Sequence, residues 1–257
     1  MVKPYRWLAQ YYDQFFADSR SAVNVARERI LSGILPQAAS ACDLACGTGT
    51  TALMLAREGI KMYAVDLSPQ MCRIVREKSR RAHLTVRVIR GDMRSFRLPQ
   101  AVDLITCEYD ALNHVPRRAD LKMAAKAVER ALRPGGHFFF DVNNLAGFRR
   151  YWSGTVWMER PGVVMVMRNS HSAGTNRAWS DVEFFIREGS RWRRRHERVE
   201  EVCWSSDEIH RVFHGAGFEW IREWDAAPFF QGNPMIGPGC HTFYLARKLG
   251  DLRRSAT

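Results

Sequence analysis

Asp43-Leu-Ala-Cys-Gly-Thr-Gly-Thr50 decides the fold. It joins an apolar segment to a helical one, the place where an α/β protein holds a nucleotide-type cofactor. Gly47 and Gly49 carry no Cβ, so the backbone can turn sharply there and approach a ligand closely. Four features follow in a chemically sensible order. Asp66 ends a short apolar run 17 residues after Gly49, where a carboxylate can accept from both hydroxyls of a ribose. Gly91-Asp92-Met93 follows a strand-like stretch; an Asp there can face an adenine amino group and Met93 can cover the ring. A buried-looking strand over 102–107 runs into the polar set Glu108-Tyr-Asp-Ala-Leu-Asn-His114. Leu132-Arg-Pro-Gly-Gly136 then reads as a helix stop before the strand Phe138-Phe-Phe-Asp-Val142.

Working outward, strands are expected at 41–45, 61–65, 85–89, 102–107 and 137–142, with helices between them. Ser68-Pro69 reads as N-cap and first-turn proline. Leu121, Ala124, Ala125, Val128, Ala131 and Leu132 form one apolar face at helical spacing, and Gly59 ends the helix after the glycine loop. Helix is also expected over 11–31. From Asn144 the pattern changes to four extended segments (155–159, 163–168, 178–187 and 191–204), separated by Gly162, Gly174-Thr-Asn176 and Glu188-Gly189. Ser205-Ser-Asp-Glu208 offers a capping box, Gly215-Ala-Gly217 stops that helix, and strands over 218–224 and 241–247 close the chain around a loop rich in Gly, Pro and Phe. The expectation is an α/β fold. It has a doubly wound, mostly parallel seven-stranded sheet and an antiparallel β insertion after the fifth strand. Residues 1–143 and 205–248 would form the core, 144–204 an insertion roofing the active site, and 249–257 a frayed tail.

These motifs together resemble the class I S-adenosylmethionine-dependent methyltransferases, over nearly the whole chain. Within that family they are similar to the small-molecule branch that includes sugar-amine N,N-dimethyltransferases, through Tyr12-Asp13 near the start and Gly91-Asp-Met-Arg before Phe96. Asp141-Val-Asn-Asn144 stands in place of the aromatic, proline-containing run of that branch. The resemblance implies S-adenosyl-L-methionine as cofactor. It implies a cofactor site of Tyr12, Asp43, Ala45, Cys46, Gly47, Gly49, Asp66, Leu67, Met71, Gly91, Asp92, Met93 and Glu108, with Asp43 near the methionine end. Tyr12 and Phe15 would either cover the cofactor as a lid or simply pack.

Methyl transfer from a sulfonium is an in-line displacement, so alignment and exclusion of water do most of the work. A base is needed only if the nucleophile arrives protonated. Glu108, Tyr109 and His114 are the catalytic candidates. Glu108 could steer a cationic amine or take its proton, or it and Tyr109 could only shape the cofactor pocket; His114 is a candidate base or a structural histidine. Asn143, His171, His241, Arg149, Tyr151 and Trp152 are further substrate-facing candidates. Trp157, Trp179, Phe184 and Phe185 would form the insertion's small core or a homodimer contact.

The formal charge of +12 raises nucleic acid as a partner. Residues 144–204 hold eleven Arg against seven acids, a partly compensated surface, and the loop after the fourth strand lacks the Asn-Pro-Pro-Tyr-like set that clamps a flipped base. A small-molecule acceptor is therefore expected rather than RNA or DNA. A nicotinamide-type oxidoreductase would not require Gly91-Asp92-Met93 or Leu132–Gly136 in sequence. The six cysteines show no Cys-x-x-Cys pair, which points to buried thiols and no metal. No run reaches the roughly 20 apolar residues of a membrane helix and no secretory pattern opens the chain, so a cytoplasmic protein is expected.

Overall fold

The computed structural model describes residues 5–172, 174–230 and 237–250, with backbone alone at 17–22 and 220–221. Its core is a seven-stranded sheet built from β1 (Ser40–Leu44), β2 (Lys61–Asp66), β3 (Val86–Arg90), β4 (Val102–Cys107), β5 (Leu132–Asn143), β10 (Phe218–Asp225) and β11 (His241–Lys248), in the order β10-β11-β5-β4-β1-β2-β3. β3-β2-β1-β4-β5 pair in parallel; β11 runs antiparallel to both neighbours. Reversal of the strand order at β1, where β2 and β3 lie on one side and β4 and β5 on the other, opens a crevice at the carboxyl ends of these parallel strands, where such sheets bind ligands.

The central strands are buried on both faces, so they read as continuous apolar runs. The alternation of Phe138-Phe139-Phe140 splits them between two cores. Phe138 and Phe140 stack on Phe213 at 5.6 and 4.9 Å. Phe139 stacks on Phe243 across the sheet at 5.7 Å.

The helices are α1 (Leu8–Ile30), α2 (Thr50–Arg57), α3 (Pro69–Arg81), α4 (Arg118–Ala131), α5 (Leu145–Tyr151) and α6 (Ser206–Ala216). Local chemistry sets their ends as expected. The Ser68 hydroxyl accepts from Met71 N, and Pro69 opens the first turn of α3. Ser205 and Glu208 close a full capping box on α6, which ends at Gly217 in the left-handed region. Two expectations are corrected. α5 was not anticipated; Asn144, expected to begin an extended insertion, instead N-caps it through Gly147 N. The helix stops where expected, α4 ending at Ala131, but the fifth strand begins earlier than 137: Leu132 already pairs with Val102, and residues 133–136 bulge before His137 pairs with Leu104.

A second sheet, β6 (Gly154–Arg160), β7 (Val163–Ser172), β8 (Arg177–Glu188) and β9 (Arg191–Val202), is an antiparallel meander with β6 and β9 at its edges. Its apolar face, with Val163, Met165, Val182 and Phe184, buries Leu8 and Phe15 of α1. Trp157 is exposed. At the start of α1, where Trp7 supplies no cap, the backbone N–H groups of Arg6, Trp7 and Leu8 donate to the Glu197 carboxylate of β9 at 2.8–3.0 Å. Residues of β8 and β9 reach the crevice at the carboxyl ends of the parallel strands. Among the described residues no helix is long and apolar enough to cross a membrane. All six cysteines are buried and unpaired. Most of the expected tail, and residues 231–236 of the Gly- and Pro-rich loop, lie outside the described residues.

Candidate active site

The crevice holds a cavity of about 420 Å³. Its walls bring together Tyr12, Asp43, Ala45, Cys46, Gly47, Asp66, Leu67, Met71, Gly91, Asp92, Met93, Glu108, Tyr109 and His114, so all but one of the residues expected to act lie on one surface. Gly49 does not. It N-caps α2 with φ 79°, and a Cβ there would meet both Val75 methyls at 2.8 Å; its role is helix packing against α3. Gly47 has φ 52° and a Cβ built there meets nothing within 4 Å, which leaves its backbone bare to the cavity.

The loop is held from below and from the side. Cys46 N donates to Val65 O and Gly49 N to Cys46 O. Asp43, fully buried, receives Ala52 N at 3.0 Å and Thr106 Oγ1 at 3.3 Å, so it caps α2 in place of the missing Gly49 side chain. Burial, together with the charge of Glu108, pushes its pKa up to about 8. From α1, Asp13 accepts from Thr48 Oγ1 at 2.6 Å and pairs with Lys78.

Asp66 accepts from Gly47 N at 2.9 Å and Ser68 N at 2.7 Å, one bond per carboxylate oxygen. Burial lifts its pKa to about 6 and the two N–H bonds pull it back. It remains an ionised acceptor at neutral pH with lone pairs to spare. Asp92 is forked by Arg94 (Nε to Oδ1 2.9 Å, Nη2 to Oδ2 2.5 Å), which holds its carboxyl below the usual range. Arg94 in turn reaches Asp120. The bare Gly47 backbone, an acidic acceptor at the tip of β2 and the Met71 and Met93 side chains fit a nucleoside-bearing cofactor.

Two catalytic expectations change. Glu108 is not free to take a proton from a ligand. Its carboxylate is bound by Arg27 Nη1 at 2.9 and 2.6 Å and by Thr51 Oγ1 at 2.9 Å, with side chains 0% and 2% exposed for Arg27 and Glu108. His114 has both ring nitrogens engaged: Nδ1 lies 3.0 Å from Glu200 O and Nε2 2.7 Å from Tyr5 Oη. A carbonyl only accepts, so Nδ1 carries the hydrogen and Nε2 accepts from the phenol. Burial holds this imidazole below its ordinary pKa, so it is a neutral strut rather than a base. Tyr109 lines the cavity with φ 61°, followed by Asp110 with φ 51°. Two non-glycine residues in the left-handed region mark a constrained turn at the end of β4.

The other substrate-facing candidates do not line the cavity. Asn143 and His241 lie behind its wall. Tyr151 accepts from Gly237 N and His171 faces Trp152 O; α5, which carries Arg149 and Tyr151, and the adjoining Trp152 stand beside the second sheet. In their place β8 and β9 contribute Arg177, Arg198, Val199, Glu200 and Val202, and the N-terminal segment contributes Tyr5. No local pattern marks these, since Arg198, Val199 and Glu200 are consecutive in β9, and Arg177 and Tyr5 come from different segments. Which face of β9 meets the core depends on Asn113, whose buried amide donates to Asn143 O and Val202 O at 2.9 Å.

Residues 41–136 match the model of a methyltransferase domain. The chain is an S-adenosylmethionine-dependent methyltransferase. S-adenosylmethionine is the cofactor of this methyltransferase, and Gly47, Asp66 and Met93 line the cavity whose chemistry suits its nucleoside end. The methyltransferase is 29% identical over 80% of its length to the dTDP-3-amino-3,6-dideoxy-α-D-glucopyranose N,N-dimethyltransferase of Streptomyces fradiae, covering 77% of that protein. Its fold matches an S-adenosylmethionine-dependent methyltransferase of Clostridium acetobutylicum with TM-score 0.78 at 24% identity, over 96% of this chain and 99% of the other. It also matches a sugar N-methyltransferase of Streptoalloteichus sp. with TM-score 0.74 at 21% identity, over 96% and 94%.

Proposed function

We propose that this methyltransferase acts on the nitrogen of a small amine acceptor, of the kind an amino sugar carried on a nucleotide presents. The observation that carries the reading is the roof: β8 and β9 close the crevice into a cavity of about 420 Å³, within the range of small-molecule sites. Arg177 at that roof donates to Pro116 O and has no carboxylate partner among the described residues, so its charge is available to an anionic part of the acceptor. The Streptomyces relative acts on a nucleotide-linked amino sugar by its name, which supports the same class.

The bound cofactor supplies a methyl group on a positive leaving group. The chain's residues do the rest by position. Asp66 and the Gly47 backbone hold the nucleoside end, Glu108 and Arg27 lock the floor, and the roof excludes water. Alignment of this sort is worth about 7–11 kcal/mol. The test is incubation of the purified chain and cofactor with dTDP-3-amino-3,6-dideoxy-α-D-glucopyranose and, separately, with its 3-hydroxy counterpart. Mass gains of one and two methyl groups on the amine, and none on the alcohol, are expected. Methylation of the alcohol alone, or of neither, refutes the reading.

A further inference from the structure

Behind the cavity wall, at the carboxyl ends of β4 and β5, lies a set of ionisable groups that methyl transfer as described does not use. Asp110 sits between Tyr109 and Ala111, and Glu201 between Glu200 and Val202; all four neighbours line the cavity. The two carboxyls are hydrogen-bonded to each other. The Asn143 amide bridges them, donating to Asp110 Oδ2 and, at 3.4 Å, to Glu201 Oε2. Its carbonyl oxygen accepts from His241 Nδ1 at 2.9 Å, and His241 Nε2 stands 2.7 Å from Asp141 Oδ2. Asp141 Oδ2 also receives Asp110 N at 2.8 Å, while Asp141 Oδ1 is fully buried and has no partner.

The charge balance of this set is informative. Burial is the largest single influence on His241 and works against its imidazolium, but the charge and hydrogen bond of Asp141 together with the charges of Asp110 and Asp225 lift its pKa overall. His241 and Asp141 stand at ion-pair distance of one another. Asp110 and Glu201 touch, and two touching carboxylates cannot both ionise, so they share one proton and carry one negative charge. Burial and mutual repulsion raise both. Among the described residues no lysine or arginine bonds to Asp110, Asp141 or Glu201. A touching carboxyl pair with no lysine or arginine bonded to it among the described residues, and one orphaned carboxylate oxygen, thus lie behind the cavity wall. Glu201 is buried; Asp110 keeps part of its surface accessible.

We propose that Asp110 and Glu201 form a proton-sharing carboxyl pair that receives the ammonium proton of the acceptor, with Asn143, Asp141 and His241 as its positioning residues; this rests on the amine reading above. The ammonium nitrogen gives its proton to the pair, which becomes neutral. The freed lone pair forms the N–CH₃ bond as the S–CH₃ bond breaks, the electrons of that bond remaining on sulfur. The pair later passes its proton to water. The groups facing it are Asp141 and Asn143 from β5, His241 from β11, and the Tyr5 phenol, whose pKa is raised by burial first and then by neighbours that include both carboxylates.

Two measurements test this. In the ligand-free chain, carbon-13 NMR of side-chain carboxyls between pH 4 and 9 should show a carboxyl titrating near neutrality, absent in both D110N and E201Q. Asn tolerates the left-handed backbone at 110, so D110N preserves the turn. In turnover of the nucleotide amino sugar, D110N should lower kcat/KM at pH 7 by about 10²-fold or more, with recovery at higher pH as the amine loses its proton unaided. An acceptor analogue bearing a weakly basic alkoxyamine, already unprotonated at pH 7, should lose less than about 5-fold. Equal losses on both acceptors mean a structural role and overturn the proposal. Methylation of the amine with no neutral-range carboxyl that disappears in both D110N and E201Q overturns the pair and leaves the amine reading intact. A neutral-range carboxyl in a chain that methylates no amine overturns the amine reading, and the pair's role with it.

Discussion

Substituting Arg27 by Met isolates what holds the floor of the site. Arg27 reaches Glu108 with two bonds of 2.9 and 2.6 Å, Thr51 Oγ1 at 3.1 Å and Asn24 Oδ1 at 2.8 Å, and is wholly buried. Met fills much of the space but leaves Glu108 without its counter-charge. Removing one partner of a buried pair costs about 3–5 kcal/mol, because an uncompensated charge stays behind. At about 2–4 °C per kcal/mol for a chain of this size, the unfolding midpoint should fall by about 6–20 °C. The double substitution R27M/E108L removes both charges and should regain at least about 2 kcal/mol of that loss, since apolar replacement of a whole pair is often neutral. The pH dependence has a definite sign. Glu108 is raised by burial and pulled back by Arg27; without Arg27 its folded pKa rises further above its unfolded value. The variant should gain stability as pH falls through that raised value and lose it as pH rises. Urea unfolding of the four members of the cycle between pH 5.5 and 8 reads all of this. A loss below about 1 kcal/mol for R27M, or additivity in the cycle, would refute the view of Glu108 as a structural acid.

Asp66, with its pKa raised to about 6 by burial, must be ionised to accept from ribose hydroxyls. Affinity for the demethylated cofactor by calorimetry should fall below pH 6, about tenfold by pH 5, and D66N should abolish the dependence; a flat profile between pH 5 and 7 sinks the ribose assignment. Gly49→Ala places a Cβ 2.8 Å from two Val75 methyls at φ 79° and should cost about 1–3 kcal/mol. Adding Val75→Ala should relieve the overlap but not the backbone strain, and cofactor affinity of the folded chain should change little.

The glycine loop, the acid at the tip of β2 and the strand–helix alternation were legible because each is local. A turn needs its glycine, a strand its apolar run, and a helix its cap. Gly47 and Asp66 therefore came to one surface as read. The partners of Glu108 and His114 were not legible. Arg27 lies 81 residues from Glu108, and Glu200 lies 86 from His114; no periodicity in either segment encodes that meeting. Gly49 shows the converse limit, since one residue type serves close ligand approach and close helix packing equally well. Asp110 was passed over for its neighbour Glu108 because two acids on one turn look alike until the fold buries one against an arginine and the other against a carboxyl.

β9 forms the outer margin of its sheet, and over Arg191–Val199 its free row of amides and carbonyls has no strand beside it among the described residues. Such a margin invites addition of a foreign strand. Here it bears Arg191, Arg193, Arg194, Arg195 and Arg198, so a second copy laid antiparallel along it would bring guanidinium against guanidinium. Any self-association through this layer would have to use the β6 side, where Trp157 stands 63% exposed.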